Sequence, residues 1–221
     1  MDLRLTFNED APTYDRLRPT YVDALFDDVI RFSCLDGTKR ALEIGIGTGQ
    51  ATLPFLKSGC EVTAIEIGDK LARYSREKFA AFERFTVINR DFESVRLDEN
   101  AYDLIYSASA FHWIPPEIGL PKVLRLLKSN GVFAWFSIQP LPAPEHAHIH
   151  EAVQRVYDRY GRFFGGPKPE IDPEIKRRQT EEKRLKRADT LTQYGFSHVT
   201  GKLYDGKRTF SAKDYVALLG T

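Results

Sequence analysis

Apolar residues follow two rhythms along this chain. Short, nearly unbroken apolar runs at Arg40 to Ile46, Glu61 to Ile67, Phe85 to Asn89, Tyr102 to Ser107 and Gly131 to Ser137 predict strands covered on both faces. Between them the spacing is helical. Val22, Leu25, Phe26, Val29 and Ile30 make one stripe, with Thr20 placed to cap it. Further helices are predicted over Thr48 to Ser58, with Pro54 in or near its first turns, over Asp69 to Phe82, and over Pro116 to Leu127. Strands that alternate with helices imply an α/β fold: a mostly parallel sheet with helices on both faces and a ligand at the strands' carboxyl ends.

Beyond Gln139 the rhythm changes. Pro140, Pro142 and Pro144 predict a rigid extended connector. A helix from about Glu145 to Tyr160, a Gly/Pro-rich loop to Pro173 and a charged helix from about Glu174 to Tyr194 follow. The strand pattern returns at His198 to Tyr204, and a last helix starts near Ser211, with Tyr215, Leu218 and Leu219 apolar. The expected organisation is therefore a core with an amino-terminal helical segment over 1–138, a helical cap insertion over 139–194, and a return to the core over 195–221.

The most informative stretch is Ala41-Leu42-Glu43-Ile44-Gly45-Ile46-Gly47-Thr48-Gly49-Gln50, which puts a carboxylate just ahead of a glycine-rich strand-to-helix turn. In a dinucleotide-binding turn the third glycine of GxGxxG lets helix and strand pack closely, and helix amides meet a pyrophosphate. Here Gln50 holds that third position and the glycines, Gly45, Gly47 and Gly49, read GxGxG. Glu43 at close range would repel a polyphosphate and attract a sulfonium or ammonium. A cationic nucleoside, S-adenosylmethionine, matches this turn better than a dinucleotide.

Three strand ends then converge on one cleft. Glu66 ends the second strand about twenty residues after the turn, where an acid accepts both hydroxyls of an adenosine ribose. Ile67 beside it is placed to cover an adenine face. After the third strand, Asp91 offers an acceptor for an exocyclic amine and Phe92 a ring beside the base, although a helix-capping role for Asp91 is equally open.

These residues together resemble the class I S-adenosylmethionine-dependent methyltransferases over roughly Tyr14 to Ser137, with EIGIGTGQ similar to their first motif. Ala64-Ile65-Glu66 resembles the ribose acid, Asn89-Arg90-Asp91-Phe92 the adenine motif, and Tyr102-Asp103-Leu104-Ile105-Tyr106-Ser107 the strand that reaches the active site, with Ser107 at the cofactor. Tyr14-Asp15-Arg16-Leu17-Arg18-Pro19 and Ala110-Phe111-His112-Trp113 resemble the small-molecule, type 11 branch.

The resemblance implies a seven-stranded Rossmann-like sheet, methyl transfer to an O, N or C atom of a small-molecule acceptor, and a segment carrying Tyr14 and Arg18 that closes over the methionine half of the cofactor. In such a site the acceptor side falls to the residues after the fourth strand. His112 is the leading general-base candidate, and Phe111 and Trp113 line an apolar pocket, with ordinary core packing as the alternative for all three. Family members finish with another helix and an inserted last strand, whereas this chain stops at Leu219-Gly220-Thr221. The seventh strand is therefore expected to be missing, which leaves an unpaired sheet edge.

Composition narrows the partners. With 32 basic against 31 acidic residues the net charge is +1, so no overall field draws the protein to nucleic acid or an anionic membrane. The basic residues from Lys176 to Arg187 alternate with Glu174, Glu181, Glu182 and Asp189, the pattern of a solvated helix. No Asn-Pro-Pro-Tyr-like tetrad of amino-methylating nucleic-acid enzymes follows the fourth strand. Cys34 and Cys60 are too few for a disulfide framework and are expected to be buried thiols. His146, His148 and His150 alternate without a third ligand nearby, so no metal is expected. The acidic start and the absence of an apolar run of about 20 residues predict a cytoplasmic protein with no membrane span. The runner-up readings are a nicotinamide-dependent oxidoreductase and a non-catalytic nucleoside- or RNA-binding module; oligomeric state is not encoded in these patterns.

Overall fold

A computed structural model describes residues 11–141, 147–160 and 173–219. The described chain divides into two compact units, one comprising residues up to Ile138 together with Leu203 onward, the other Gln139–Lys202.

The first unit is built on a five-stranded sheet of β1 (Arg40–Ile44), β2 (Glu61–Glu66), β3 (Phe85–Asn89), β4 (Tyr102–Ala108) and β5 (Leu127–Phe136), in the order β3-β2-β1-β4-β5. Every pairing is parallel, with Glu43 opposite Ala64 and Tyr106, and Glu66 opposite Asn89. The reversal of order between β1 and β4 brings their carboxyl ends together as the fold's natural ligand crevice. β1 and β4 lie in the middle of the sheet and are buried almost end to end, which is why their sequences read as continuous apolar runs.

Helices α1 (Ala11–Leu17), α2 (Asp23–Phe32), α3 (Thr52–Lys57), α4 (Asp69–Lys78), α5 (Pro116–Leu126) and α8 (Ala212–Leu219) complete this unit. The predicted stripe of α2 packs as expected: Phe26 is in the core, its ring edge-on to Phe55 at 5.6 Å, and Tyr21, Leu25, Val29 and Ile30 pack around it. Phe55 in turn lies 4.2 Å from the Tyr106 ring, so α2, α3 and β4 share one aromatic seam.

Four expectations are corrected here. Thr20 does not cap α2, whose first residue is Asp23 after an extended Val22. The preceding turn is given over to Tyr21, which packs 4.9 Å from Phe136 and pairs its hydroxyl with Ser109 at 2.8 Å. Helix α4 stops at Lys78 instead of Phe82, because Phe79 turns into the core against Phe85. Residues His198 to Tyr204 form no strand: most are exposed, so alternation there has no face to bury. Cys60 is buried as expected, but Cys34 is exposed, in the turn that ends α2 with φ at 47°.

In the second unit, α6 (Ala147–Tyr160) and the mixed-charge α7 (Pro173–Gln193) are helical as predicted. Arg184 bridges Glu181 one turn back on α7 and donates to the Gly201 carbonyl, the local charge pairing expected of a solvated helix. Among the described residues no helix is long and apolar enough to cross a membrane, and no three His, Cys, Asp or Glu side chains gather as a metal site. His146 lies outside the described residues.

Candidate functional site

The turn between β1 and α3 takes its shape from its glycines. Gly45 has φ of 74°, and a Cβ added there would sit 2.4 Å from the Ala110 Cβ, at the end of β4. Gly49 has φ of 81°, and its added Cβ would meet the Phe79 ring at 2.3 Å. Both positions therefore demand glycine twice over, for conformation and for space. Gly47, between them, is different: the nearest atom to an added Cβ is Gln50 Oε1 at 4.0 Å, so its surroundings are open.

Glu66 ties this turn to the end of β2. One carboxylate oxygen accepts from the Gly47 amide and the other from the Gly68 amide, each at 2.8 Å. The Gly45 and Ile46 amides are taken up by the Ile65 carbonyl, and Ser75 of α4 donates to the Gly47 carbonyl at 2.6 Å. Burial pushes the Glu66 carboxyl above its ordinary range, and the amide bonds pull against that shift. Ile67, next along, is half-buried. Tyr14 on α1 lies within electrostatic reach of Glu66, and its hydroxyl is pushed up by burial first, with Arg18 opposing and Glu66 reinforcing. The Arg18 guanidinium lies 4.7 Å from the Tyr14 ring centre, so the two amino-terminal residues singled out by sequence form one pair.

Glu43, at the end of β1, is buried. It is 1% exposed, and a single carboxyl oxygen accepts from the Thr52 hydroxyl at 2.7 Å and the Tyr106 hydroxyl at 2.9 Å. The side chain is thus enclosed beneath the turn. Desolvation raises its pKa to about 7, against the downward pull of the two hydroxyls.

Three more residues are enclosed. Ser107 is fully buried and donates to the Ile44 carbonyl at 2.8 Å, fastening β4 to β1. Phe92 and Phe111 are core aromatics; Phe111 is 1% exposed and packs 5.0 Å from both Phe133 and Trp135. Aromatic rings at strand ends are recruited by the core whenever a facing strand supplies partners, and β5 does so here.

Asp91 caps the turn that follows β3, one oxygen accepting from the Ser94 amide at 2.7 Å and the other from its hydroxyl at 2.5 Å. The helix cap expected as one of its two roles is not formed, because a turn and no helix follows β3. Beyond β4, the short 3₁₀ turn Phe111–Trp113 leaves His112 and Trp113 exposed, their rings 5.0 Å apart.

Sequence reasoning missed the supporting roles of two residues. Lys122 of α5 directs its ammonium at three carbonyls of one turn, those of Phe92 at 2.6 Å, Glu93 at 3.3 Å and Val95 at 2.5 Å. Asn89 donates to the Glu66 and Ile67 carbonyls at 2.8 and 3.1 Å. Both hold strand ends in position. A lysine in an apolar helix stripe was the one available signal for the first.

Comparison with known proteins agrees with this architecture. Residues 42–135 match the family model described as a methyltransferase domain, type 11. An uncharacterised methyltransferase of Mycobacterium tuberculosis is 28% identical over 130 residues, 59% of this chain and 51% of that protein. A Saccharomyces cerevisiae protein, named as a probable S-adenosylmethionine-dependent methyltransferase, is 31% identical over 165 residues, 71% of this chain and 54% of that protein. The chain thus spans about half the length of these curated relatives. Among solved structures, a Methanococcus maripaludis chain assigned to the S-adenosylmethionine-dependent methyltransferases shares the fold, with a TM-score of 0.53 at 16% identity over 83% of this chain and 78% of that one. With the parallel sheet, the glycine turn and the acid at the end of β2 in place, residues 42–135 match a methyltransferase domain, and the chain shares the Rossmann-like fold of the S-adenosylmethionine-dependent methyltransferases.

Proposed function

We propose that the protein binds S-adenosylmethionine over the glycine turn and transfers its methyl group to an O, N or C atom of a small-molecule acceptor. The observation that carries this reading is the junction of Gly47 and Glu66: an open glycine position bonded to a buried carboxylate at the switch point of the sheet. The chemistry of the residues fits the cofactor. Glu66 keeps lone pairs for ribose hydroxyls in addition to those its two amide bonds use. Ile67 offers an apolar surface to the adenine, and the Asp91 turn borders the same edge. Tyr14 and Arg18 face the methionine half, where the guanidinium suits a carboxylate. Glu43, Phe92 and Ser107 support from within, Glu43 by its charge when ionised and the other two by packing and backbone anchorage.

When bound, S-adenosylmethionine supplies an electrophilic methyl on a sulfonium. The protein then has to orient an acceptor in line with it and exclude water, and such positioning contributes roughly 7 to 11 kcal/mol in favourable intramolecular systems. An acceptor that must lose a proton would give it to His112, which is exposed at the end of β4 next to Trp113. Phe111 backs this surface from the core.

The test is a thermal shift of the whole chain with S-adenosylhomocysteine, NADH and RNA in parallel. Ligand at a hundred times its dissociation constant adds about 2.7 kcal/mol, a rise of roughly 5 to 10 °C for a chain of this size. A rise with S-adenosylhomocysteine alone supports the proposal. A rise with NADH alone, or salt-sensitive RNA binding without adenosyl uptake, overturns it.

A further inference from the structure

One carboxylate near the site has no assigned contact with the cofactor. Asp15 lies on α1 between the two residues proposed to face that ligand, and its side chain reaches two other elements at once. One oxygen accepts from Lys78 Nζ of α4 at 2.6 Å and from Gln50 Nε2 of the glycine turn at 3.3 Å; the other accepts from the Tyr74 hydroxyl of α4 at 3.0 Å. The same Lys78 ammonium donates to the Thr48 carbonyl at 2.9 Å, and the same Gln50 amide donates to the Thr48 hydroxyl. Helix α1, helix α4 and the cofactor turn thus share one hydrogen-bonded node. Gln50, the residue that departs from a dinucleotide fingerprint, is the turn's own arm into it.

We infer that Asp15 is a positioning residue, a latch that holds α1 across the glycine turn so that Tyr14 and Arg18 face the bound cofactor. The inference rests on the proposed cofactor site. Its competitor as the fastening of α1 is the carboxy-terminal segment, where Arg16 pairs with Asp214 at 2.8 Å and Arg208 donates to the Arg16 carbonyl at 2.8 Å and to the Arg18 carbonyl. The Arg16 and Asp214 side chains are 61% and 36% exposed, against 22% for Asp15 and 32% for Lys78. Exposed pairs are screened and contribute little, whereas a partly desolvated carboxylate with three donors fixes geometry. Position along the helix supports the assignment as well: Arg18 lies one turn from Asp15 on the same face, and Tyr14 adjoins it.

Calorimetric binding of S-adenosylhomocysteine to Asp15→Asn, Lys78→Met, their double variant and Asp15→Glu tests the latch, alongside hydrogen exchange of the α1 amides without ligand. Each single change is expected to weaken binding about tenfold, and the double by no more than about twofold further, because both remove one interaction. Asp15→Glu, which keeps the charge, should recover affinity to within about threefold of the parent. Amides of α1 should exchange faster in Asp15→Asn than in the parent. Should Asp15→Asn fail to fold, Tyr74→Phe removes a single donor and should weaken binding about threefold. Parent-like affinity in Asp15→Asn, or fully additive losses in the double variant, overturns the latch alone. No uptake by the parent chain, with α1 exchange still accelerated in Asp15→Asn, overturns the cofactor reading and this role with it.

Discussion

The two halves of the sheet's carboxyl rim are built on opposite principles. On the β1–β2 side, the groups that shape the glycine turn are tied down: Glu66 to two amides, Glu43 to two hydroxyls, Gly45 and Gly49 to close approaches that admit no side chain. On the β4–β5 side, the chain leaves the sheet at Ser109 and presents His112 and Trp113 to the surface, over a buried Phe111. The first half suits an invariant ligand that must be held in one pose; the second offers exposed side chains that can be exchanged without disturbing the sheet. Preorganisation on one side and replaceable surface on the other is the arrangement expected where one cofactor serves many acceptors.

The sharpest way to break this contrast is at the glycines. Gly49→Ala should destabilise the protein by roughly 3 to 5 kcal/mol, since it combines a left-handed backbone with a collision against the Phe79 ring. Gly47→Ala, with open space around it, should cost only about 1 kcal/mol from the backbone term. Urea unfolding of the two variants checks the difference, and equal losses would mean that the turn is not built as described.

Glu43 gives the next largest effect, and it depends on pH. Its carboxyl titrates near 7 in the fold, above the ordinary carboxylate range, so the folded state favours the protonated form. The stability it contributes is fully present below about pH 4.3, and is lost as pH rises through 7. Glu43→Gln mimics the protonated acid and retains an acceptor for Thr52 and Tyr106. Above pH 7 it should be more stable than the parent by up to roughly 3 kcal/mol, with the advantage vanishing toward pH 4. Denaturation midpoints measured from pH 4 to 8 decide the matter; a gap that does not change with pH removes Glu43 titration from the account.

Glu66→Ala should lower stability by about 2 kcal/mol, because two enclosed amides lose their acceptor, and should also weaken S-adenosylhomocysteine binding by at least about tenfold. A variant with lost affinity but parent stability would show that the amide bonds are incidental. At the far side of the rim, His112→Ala should change stability by no more than about 0.5 kcal/mol, since the side chain is exposed. If it destabilises as much as Glu66→Ala, the exposed half is held as firmly as the other and the contrast fails.

The same contrast explains what could be read in advance. The five strands and their helices were visible because burial on both faces imposes apolar runs, and the glycine turn was visible because its geometry restricts the residue type. The roles of individual polar side chains were not. Glu43, Ser107 and Phe92 all sit at predicted strand ends, yet a strand end has an inner and an outer face, and sequence spacing alone did not say which face an acid or an aromatic takes. The expected strand over His198 to Tyr204 failed for a related reason, since alternation marks a strand only where a neighbour exists to bury one side.

The sequence by itself determined the parallel α/β architecture and the glycine turn, because each depends on local constraints that leave few residue choices. Only the tertiary structure decided that Glu43 is enclosed, that Lys122 clamps the turn after β3, and that Asp15 joins α1 to α4 and the glycine turn. Those contacts link residues far apart in the chain, and their partners are chosen by packing, which no local pattern records.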